Sequence, residues 1–384
     1  MRTTWERAVW VGLLAVLSAA CGGGGNGEDG QPVTKYYAYL ANRASGNISG
    51  YSIDPATGSW TAVPGSPFMA GSSPVDMAVA PTGKFAYAVN RGSQNISTYA
   101  INAATGALSE ISGSPFPTAD QPWRASVDNT GRYLFVGLSL RQVSAYTINA
   151  NTGSLAEISG SPYSQGPLGL NSDLIVDPHG YFLLYVANTG LGIYGYTIDF
   201  DTGALSLVQG SPFWNLFFPE TSACLATDPQ SKFLYVAYDG QFSFVYLDFY
   251  RVEWATGNLT LAGVWAGGGA PGEVTPSSLV VDPSGRFLYL TDSRNDKVFA
   301  YAINAASGFL SELAGSPFST GLSPASMAIE PTGKFAYVAN FGSNTVSAYS
   351  INSTTGVLTP ISGSPFPVTG GQGPCAISII KITQ

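Results

Sequence analysis

Three residues of this 384-residue chain, Asp76, Arg124 and Asp173, are of the types that can polarise water and steady an oxyanion. Each stands four positions before a turn that reads Ala80-Pro81, Asp128-Asn129 or Asp177-Pro178, so the three share one equivalent place. A carboxylate can take a proton from water while a fixed guanidinium holds the carbonyl oxygen as charge develops there. Paired carboxylates can instead bind a divalent cation that polarises the same water, and that ion is the one cofactor this set suggests. Glu220 and Asp120 share a second equivalent place, in the loops just before these strands, with Glu273 close to it and Trp123 offering an apolar wall. The catalytic candidates are Asp76, Arg124, Asp173 and Glu220, and the ligand-binding candidates are Asp120, Trp123 and Glu273. A plainer alternative stays open, in which these are loop carboxylates and Arg124 is salt-bridged to a neighbour.

Other chemistry has little to stand on. His179, within Asp177-Pro178-His179-Gly180, is the single histidine. No Gly-x-Ser-x-Gly, Walker loop, His-Glu-x-x-His or Cys-x-x-Cys motif is present. The group Asp292, Arg294, Asn295 and Asp296 reads as a solvated turn, and the recurrent Asn42, Asn90, Asn188 and Asn340 read as turn formers. Phe217-Phe218 is a candidate exposed aromatic pair for a ligand or partner.

What must position these residues is a repeat. Gly-Ser-Pro followed by Phe or Tyr begins at Gly65, Gly113, Gly160, Gly210, Gly315 and Gly363. Gly263-Val264-Trp265-Ala266 sits in the one double-length gap as a degenerate copy. Ile-Asn/Asp-x-x-Thr-Gly, as at 101–106, 148–153 and 351–356, and Asp-Pro-x-Gly-Lys/Arg with its relatives, as at 128–132 and 282–286, mark two further points of the unit. Between the marks apolar and polar residues alternate in short runs, the period of strands. In the cleanest copy strand A is 326–329, B is 335–339, C is 345–351 and D is 357–361, with 352–356 closing a hairpin. Four short antiparallel strands per unit predict a propeller blade.

The two ends of the chain complement each other. The first strand, near 36–41, is a B strand, and the last segment, 374–382, is an A strand with no B after it. The expected fold is therefore all-β, a seven-bladed β-propeller of four-stranded antiparallel blades, closed by pairing the C-terminal strand A with N-terminal strands B, C and D. D-to-A and B-to-C loops then share one face with the channel mouth and the candidate residues. His179, in an A-to-B turn, falls on the other face.

The Tyr-Val-Ala-Asn runs at 185–188 and 337–340, with Tyr39-Leu40-Ala41-Asn42 beside them, resemble the YVTN-type repeat. With Asp-Pro-x-Gly-Lys/Arg before them, they resemble the β-propeller lactonase family, which includes propeller 6-phosphogluconolactonases and fungal carboxymuconate cyclases. The resemblance spans residues 35–384 and implies the propeller fold together with hydrolysis of a lactone. The fungal cyclases use a His with Arg and Glu residues, and this chain departs from that arrangement because its one histidine lies on an A–B turn.

Charged residues make up only 10% of the chain and the net charge is −8, with no basic stripe, which excludes nucleic acid as a partner. Residues 1–20 read as a signal peptide: Arg2 and Arg7 precede an apolar run from Ala8 to Leu17, and Ala19-Ala20 supply small residues before a cut. Leu17-Ser18-Ala19-Ala20-Cys21 resembles a bacterial lipobox, although Ser18 stands where that pattern favours Leu. The expected organisation is a signal peptide at 1–20, a lipidated Cys21 with a flexible Gly-rich tether at 21–34, and the propeller at 35–384. Cys224 and Cys375 are expected to be buried free thiols.

The expected function is an exported, lipid-anchored propeller in the bacterial cell envelope that binds a small molecule or an envelope protein. It is expected to be a monomer that meets the membrane through its lipid alone. The alternative is a hydrolase of a lactone or cyclic ester, using the carboxylates and Arg124 at the channel mouth. A quinoprotein-type redox propeller lacks its Trp-docking motifs.

Overall fold

The computed structural model describes residues 33–165, 171–188, 192–213, 223–239, 245–267 and 274–384. Among them every regular element is a β-strand, and the strands form seven antiparallel sheets. The unit read at 326–361 consists of Pro324–Ile329, Phe335–Asn340, Thr345–Ile351 and Leu358–Pro360, paired in that order from the channel outward. Its inner strand starts earlier than the sequence pattern implied, because Pro324 pairs with Asn340 across a bulge that precedes Ser326.

The ring closes as the sequence predicts. Pro374–Thr383 pairs along Thr34–Asn42, from Thr383 opposite Thr34 to Pro374 opposite Asn42, and Asn47–Ile53 and Trp60–Ala62 follow outward. Each of the seven apolar clusters is shared between two neighbouring blades. Tyr235 and Phe249 pack with Leu290 and Tyr301 at one interface. Tyr37 and Ile48 pack with Ala88 and Tyr99 at another. Burying a large apolar side chain contributes about 1.5–3 kcal/mol, so the blade interfaces carry the core.

The motif residues that gave the fold away hold blades together. Tyr337 Oη donates to the Gly58 carbonyl of the next blade at 2.8 Å, and Tyr289 and Tyr39 make the same bond to Gly356 and Gly106, each at 2.8 Å. Gly58 has φ +71° and lies flat on Phe335, where a Cβ would come within 2.5 Å of the ring. The Asp of the A–B turn is a buried cap: Asp128 Oδ1 accepts the N–H groups of Arg132 at 2.8 Å and Tyr133 at 2.7 Å.

The recurring Gly-Ser-Pro-Phe segment turns back onto its own blade. The Ser-Pro bond is cis in all six copies. Ser364 Oγ accepts the Ala348 N–H at 2.9 Å, and Phe366 then pairs with Val346. In five of the seven sheets the following two residues thereby add a short fifth strand to the expected four. The degenerate copy lacks this clasp. There Asn258–Gly267 runs as one long outer strand beside Val245–Glu253. Trp265, within it, sets its ring edge-on to Tyr301 of the next blade at 4.8 Å.

Candidate functional site

Around the channel mouth the inner strands of five consecutive blades contribute Ala376, Asp76, Arg124, Asp173 and Cys224 at one equivalent place, with Cys375 in the bulge just before Ala376. Three of the four catalytic candidates therefore meet: Arg124 Nη1 lies 3.6 Å from Asp76 Oδ1, and Arg124 Nε lies 3.6 Å from Asp173 Oδ1. The Arg124 side chain is only 23% exposed, and its Nε–H has no hydrogen-bond acceptor.

Both carboxylates also stitch neighbouring blades together. Asp76 Oδ2 accepts the Ala125 N–H at 2.8 Å, and Asp173 Oδ2 accepts the Leu225 N–H at 2.8 Å. Asp173 Oδ1 further accepts the Leu174 N–H at 2.9 Å. Serines serve the same purpose elsewhere in the ring, Ser278 receiving Met327 N–H at 3.2 Å and Ser326 receiving Ile377 N–H at 3.3 Å.

Two carboxylates sharing one guanidinium decide the electrostatics. Burial opposes the Arg124 charge, but Asp76 and Asp173 outweigh it and hold the guanidinium protonated. Burial pushes the Asp173 carboxyl above the usual aspartate range, against the pull of Arg124 and two backbone N–H groups. The same burial pushes the Cys224 and Cys375 thiols up to about 12.

Arg124, Cys224 and Cys375 line a cavity of about 460 Å³ on the mouth side, with Arg43, Trp123 and Phe341 among its other walls, whereas Asp76 and Asp173 are not part of its lining and reach it only through their contact with Arg124. Trp123 Nε1 donates to the Ser172 carbonyl at 3.2 Å, and the Arg91 guanidinium lies over the indole, 4.6 Å from the ring centroid. Trp123 thus stands where the sequence placed an apolar wall. Asp120 is set apart from those walls, with its Oδ2 accepting the Leu140 N–H at 2.9 Å in the adjoining loop. Glu220, Glu273, Phe217-Phe218 and Cys21 lie outside the described residues.

Arg124 occupies the place between Asp76 and Asp173 that a divalent cation would take. Among the described residues no three His, Cys, Asp or Glu side chains converge as metal ligands. Cys224 and Cys375 are free; Cys224 is buried, whereas Cys375 is half-buried, and both reach the cavity. His179 is on the opposite face, exposed in its turn and stacked on Tyr181. Asp292 differs from the solvated-turn reading. It is fully buried at the end of Phe287–Asp292 and accepts the N–H groups of Thr275 at 3.0 Å and Arg294 at 3.1 Å. Asn42, Asn90 and Asn340 are likewise buried strand ends, Asn340 Nδ2 donating to Ser347 Oγ at 2.9 Å.

Sequence reasoning missed Arg43, Ser293 and Phe341 on the cavity wall. A signal was available: each directly follows the recurring Asn or Asp that ends a B strand, at Asn42, Asp292 and Asn340. Reading that position across the repeats would have collected them.

A family described as lactonase, seven-bladed β-propeller matches residues 32–171 and 266–372, more than half of the chain. Among solved structures, a periplasmic gluconolactonase of Pseudomonas aeruginosa is 22% identical at a TM-score of 0.74, the alignment covering 91% of this chain and 99% of that one. Two proteins described provisionally as 6-phosphogluconolactonases are similar as well. The one from Bacteroides uniformis is 17% identical at a TM-score of 0.77, covering 90% of this chain and 99% of the other. The one from Bacteroides fragilis is 18% identical at a TM-score of 0.75, covering 90% and 98%. At these identities the structural likeness is one of fold. No curated protein matches the sequence.

Proposed function

We propose, from the premise that this chain belongs to the seven-bladed β-propeller lactonase family, that its mouth cavity binds a small lactone and opens the ring by addition of water. Water adds to the carbonyl carbon, the acyl–oxygen bond breaks, and the ring oxygen leaves as a hydroxyl, so the product is the hydroxy acid. The observation that carries this reading is the Arg124 guanidinium, which lines the cavity with a 23% exposed side chain and is held at 3.6 Å from each of two carboxylates. A preorganised cation at the cavity wall is what a developing oxyanion requires. Asp173 is the base: its raised pKa makes it a stronger proton acceptor than an ordinary aspartate, and its carboxylate has lone pairs beyond those already engaged. Trp123 supplies a flat wall for the lactone body.

We place this activity outside the cytoplasm, in a monomer acylated at Cys21, on the strength of residues 1–21. The Pseudomonas aeruginosa relative is described as periplasmic, which supports lactone chemistry by this fold in that setting. A second reading, a small-molecule-binding propeller without turnover, is favoured by one observation. Asp76 and Asp173 already accept backbone N–H groups, a duty that serines perform elsewhere in the ring. One assay separates the two: acid release from a panel of γ- and δ-lactones, with and without a chelator, beside Arg124→Ala. The hydrolase reading expects chelator-insensitive turnover that falls roughly 100-fold or more in the variant, the usual cost of removing one oxyanion donor. Binding of those lactones without turnover would select the second reading, and neither binding nor turnover would overturn both.

A further inference from the structure

We infer that the face opposite the mouth carries a second binding site, a shallow groove on one blade, beside an aromatic stack that bridges to its neighbour, that takes an acidic saccharide. It stands apart from the mouth cavity and does not depend on the lactone reading.

The repeat departs from its own pattern here. The turn after Asn171–Val176 holds one residue more than its counterparts: the Ile198 N–H reaches the Phe182 carbonyl, where in the preceding blade Ile148 reaches Arg132. Phe182 takes φ +57°, a left-handed conformation that a bulky side chain rarely adopts. In the next blade Trp254 fills the hairpin position that is Ala103 and Ala305 elsewhere. The two family-matched segments leave out residues 172–265, the stretch that contains both departures.

The inserted turn and the hairpin build one aromatic stack. His179 lies on Tyr181 with centroids 5.0 Å apart, and Tyr181 lies on Trp254 at 4.9 Å with the planes only 7° apart. Trp254 is fixed by a 2.8 Å hydrogen bond from Nε1 to the Ser231 carbonyl, yet it is 42% exposed. Its indole borders a concavity of about 450 Å³ that also exposes Lys232 and Arg251. Among the described residues neither cation has a carboxylate partner, while Glu253 in the same wall accepts from Thr256 Oγ1 at 2.8 Å. On a chain of net charge −8, a groove with two cations that lack a carboxylate partner among the described residues, Arg251 lying over the Phe233 ring at 5.4 Å, is a local exception.

These features select the ligand class. Lys232, Arg251 and Trp254 are all exposed, so the groove cannot enclose a molecule that is apolar on both faces. A pyranose has one C–H face to lay on an indole and polar edges that stay hydrated. A carboxylate on the sugar adds charge-assisted hydrogen bonds to Arg251 and Lys232. A uronic-acid oligosaccharide satisfies all three lining groups.

The test is titration of the protein with oligogalacturonate, read by tryptophan fluorescence and calorimetry, beside a neutral malto-oligosaccharide of equal length. Trp254→Ala, the double variant Lys232→Gln/Arg251→Gln, and Trp254→Phe as a stack-preserving control are carried with their melting temperatures. The expected result is saturable binding of the acidic sugar that weakens with salt. It falls roughly ten-fold or more in Trp254→Ala and in the double variant, as losses of central aromatic and charged anchors do. Trp254→Phe should retain binding, and lactone turnover should be unchanged in all three. Absence of binding, equal binding of the neutral sugar, or undiminished binding by a folded Trp254→Ala would each overturn the proposal.

Discussion

Arg124 stands between Asp76 and Asp173, each 3.6 Å away, and this arrangement governs what each group can do. With Asp173 as base, activity should fall on acidification at a pH above the ordinary aspartate value of about 3.9, because burial raises its pKa. A rate profile of kcat/KM checks this, and an acid limb at or below that ordinary value would remove Asp173 from the role. The stability effect has the matching sign. A carboxyl raised in the fold contributes most below its unfolded pKa, and that contribution is lost as pH rises through the folded value. Asp173→Asn should therefore flatten the pH dependence of the melting temperature on that limb. The two cavity thiols, pushed up to about 12 by burial, should resist iodoacetamide at pH 8 in the folded protein and react once it is unfolded. At this scale the triad was legible because the repeats could be aligned on their turns. Arg43 and Phe341 were missed because the place after the strand-end Asn or Asp holds varied residue types, Arg43, Ser293 and Phe341 among them, so only its spacing marks it.

Strands were legible where alternation ran for several residues, as in Thr345–Ile351, whose bounds the sequence pattern matched. Phe366–Pro367 was not, since two residues carry no alternation and their pairing to Thr345 and Val346 depends on the turn before them. The long Asn258–Gly267 strand was hidden for another reason: the degenerate copy at Gly263 looks like a punctuation mark yet continues the strand through it. The clasps make separable predictions. Ser364→Ala removes one hydrogen bond to the Ala348 N–H, and Tyr337→Phe removes one to Gly58, so each should destabilise by about 1 kcal/mol in denaturant titration. Gly58→Ala should cost more, roughly 2 kcal/mol or above, because a left-handed residue gains a Cβ that meets Phe335 at 2.5 Å. Equal effects of Gly58→Ala and Tyr337→Phe would contradict that account of the interface.

Closure joins the first and last strands of the ring, so the whole molecule depends on Pro374–Thr383 lying beside Thr34–Asn42. Removing residues 374–384 leaves an open inner edge and strips Ala376, Ile377 and Ile382 from two blade interfaces. The shortened chain should lose its single cooperative melt, and an unchanged transition would contradict closure as the source of that cooperativity. Topology was the most legible feature, because the two chain ends complement each other in the sequence. Function was the least, because the residues that recur most regularly serve blade packing. The most direct test of the central claim is the kcat for lactone ring opening by the native protein and by Arg124→Lys, with the melting temperature of both recorded. Lysine keeps the charge but loses the planar fork that faces a developing oxyanion. The account predicts a fall of about 100-fold in kcat, the scale of one lost oxyanion donor, with folding intact. An unchanged kcat would contradict it.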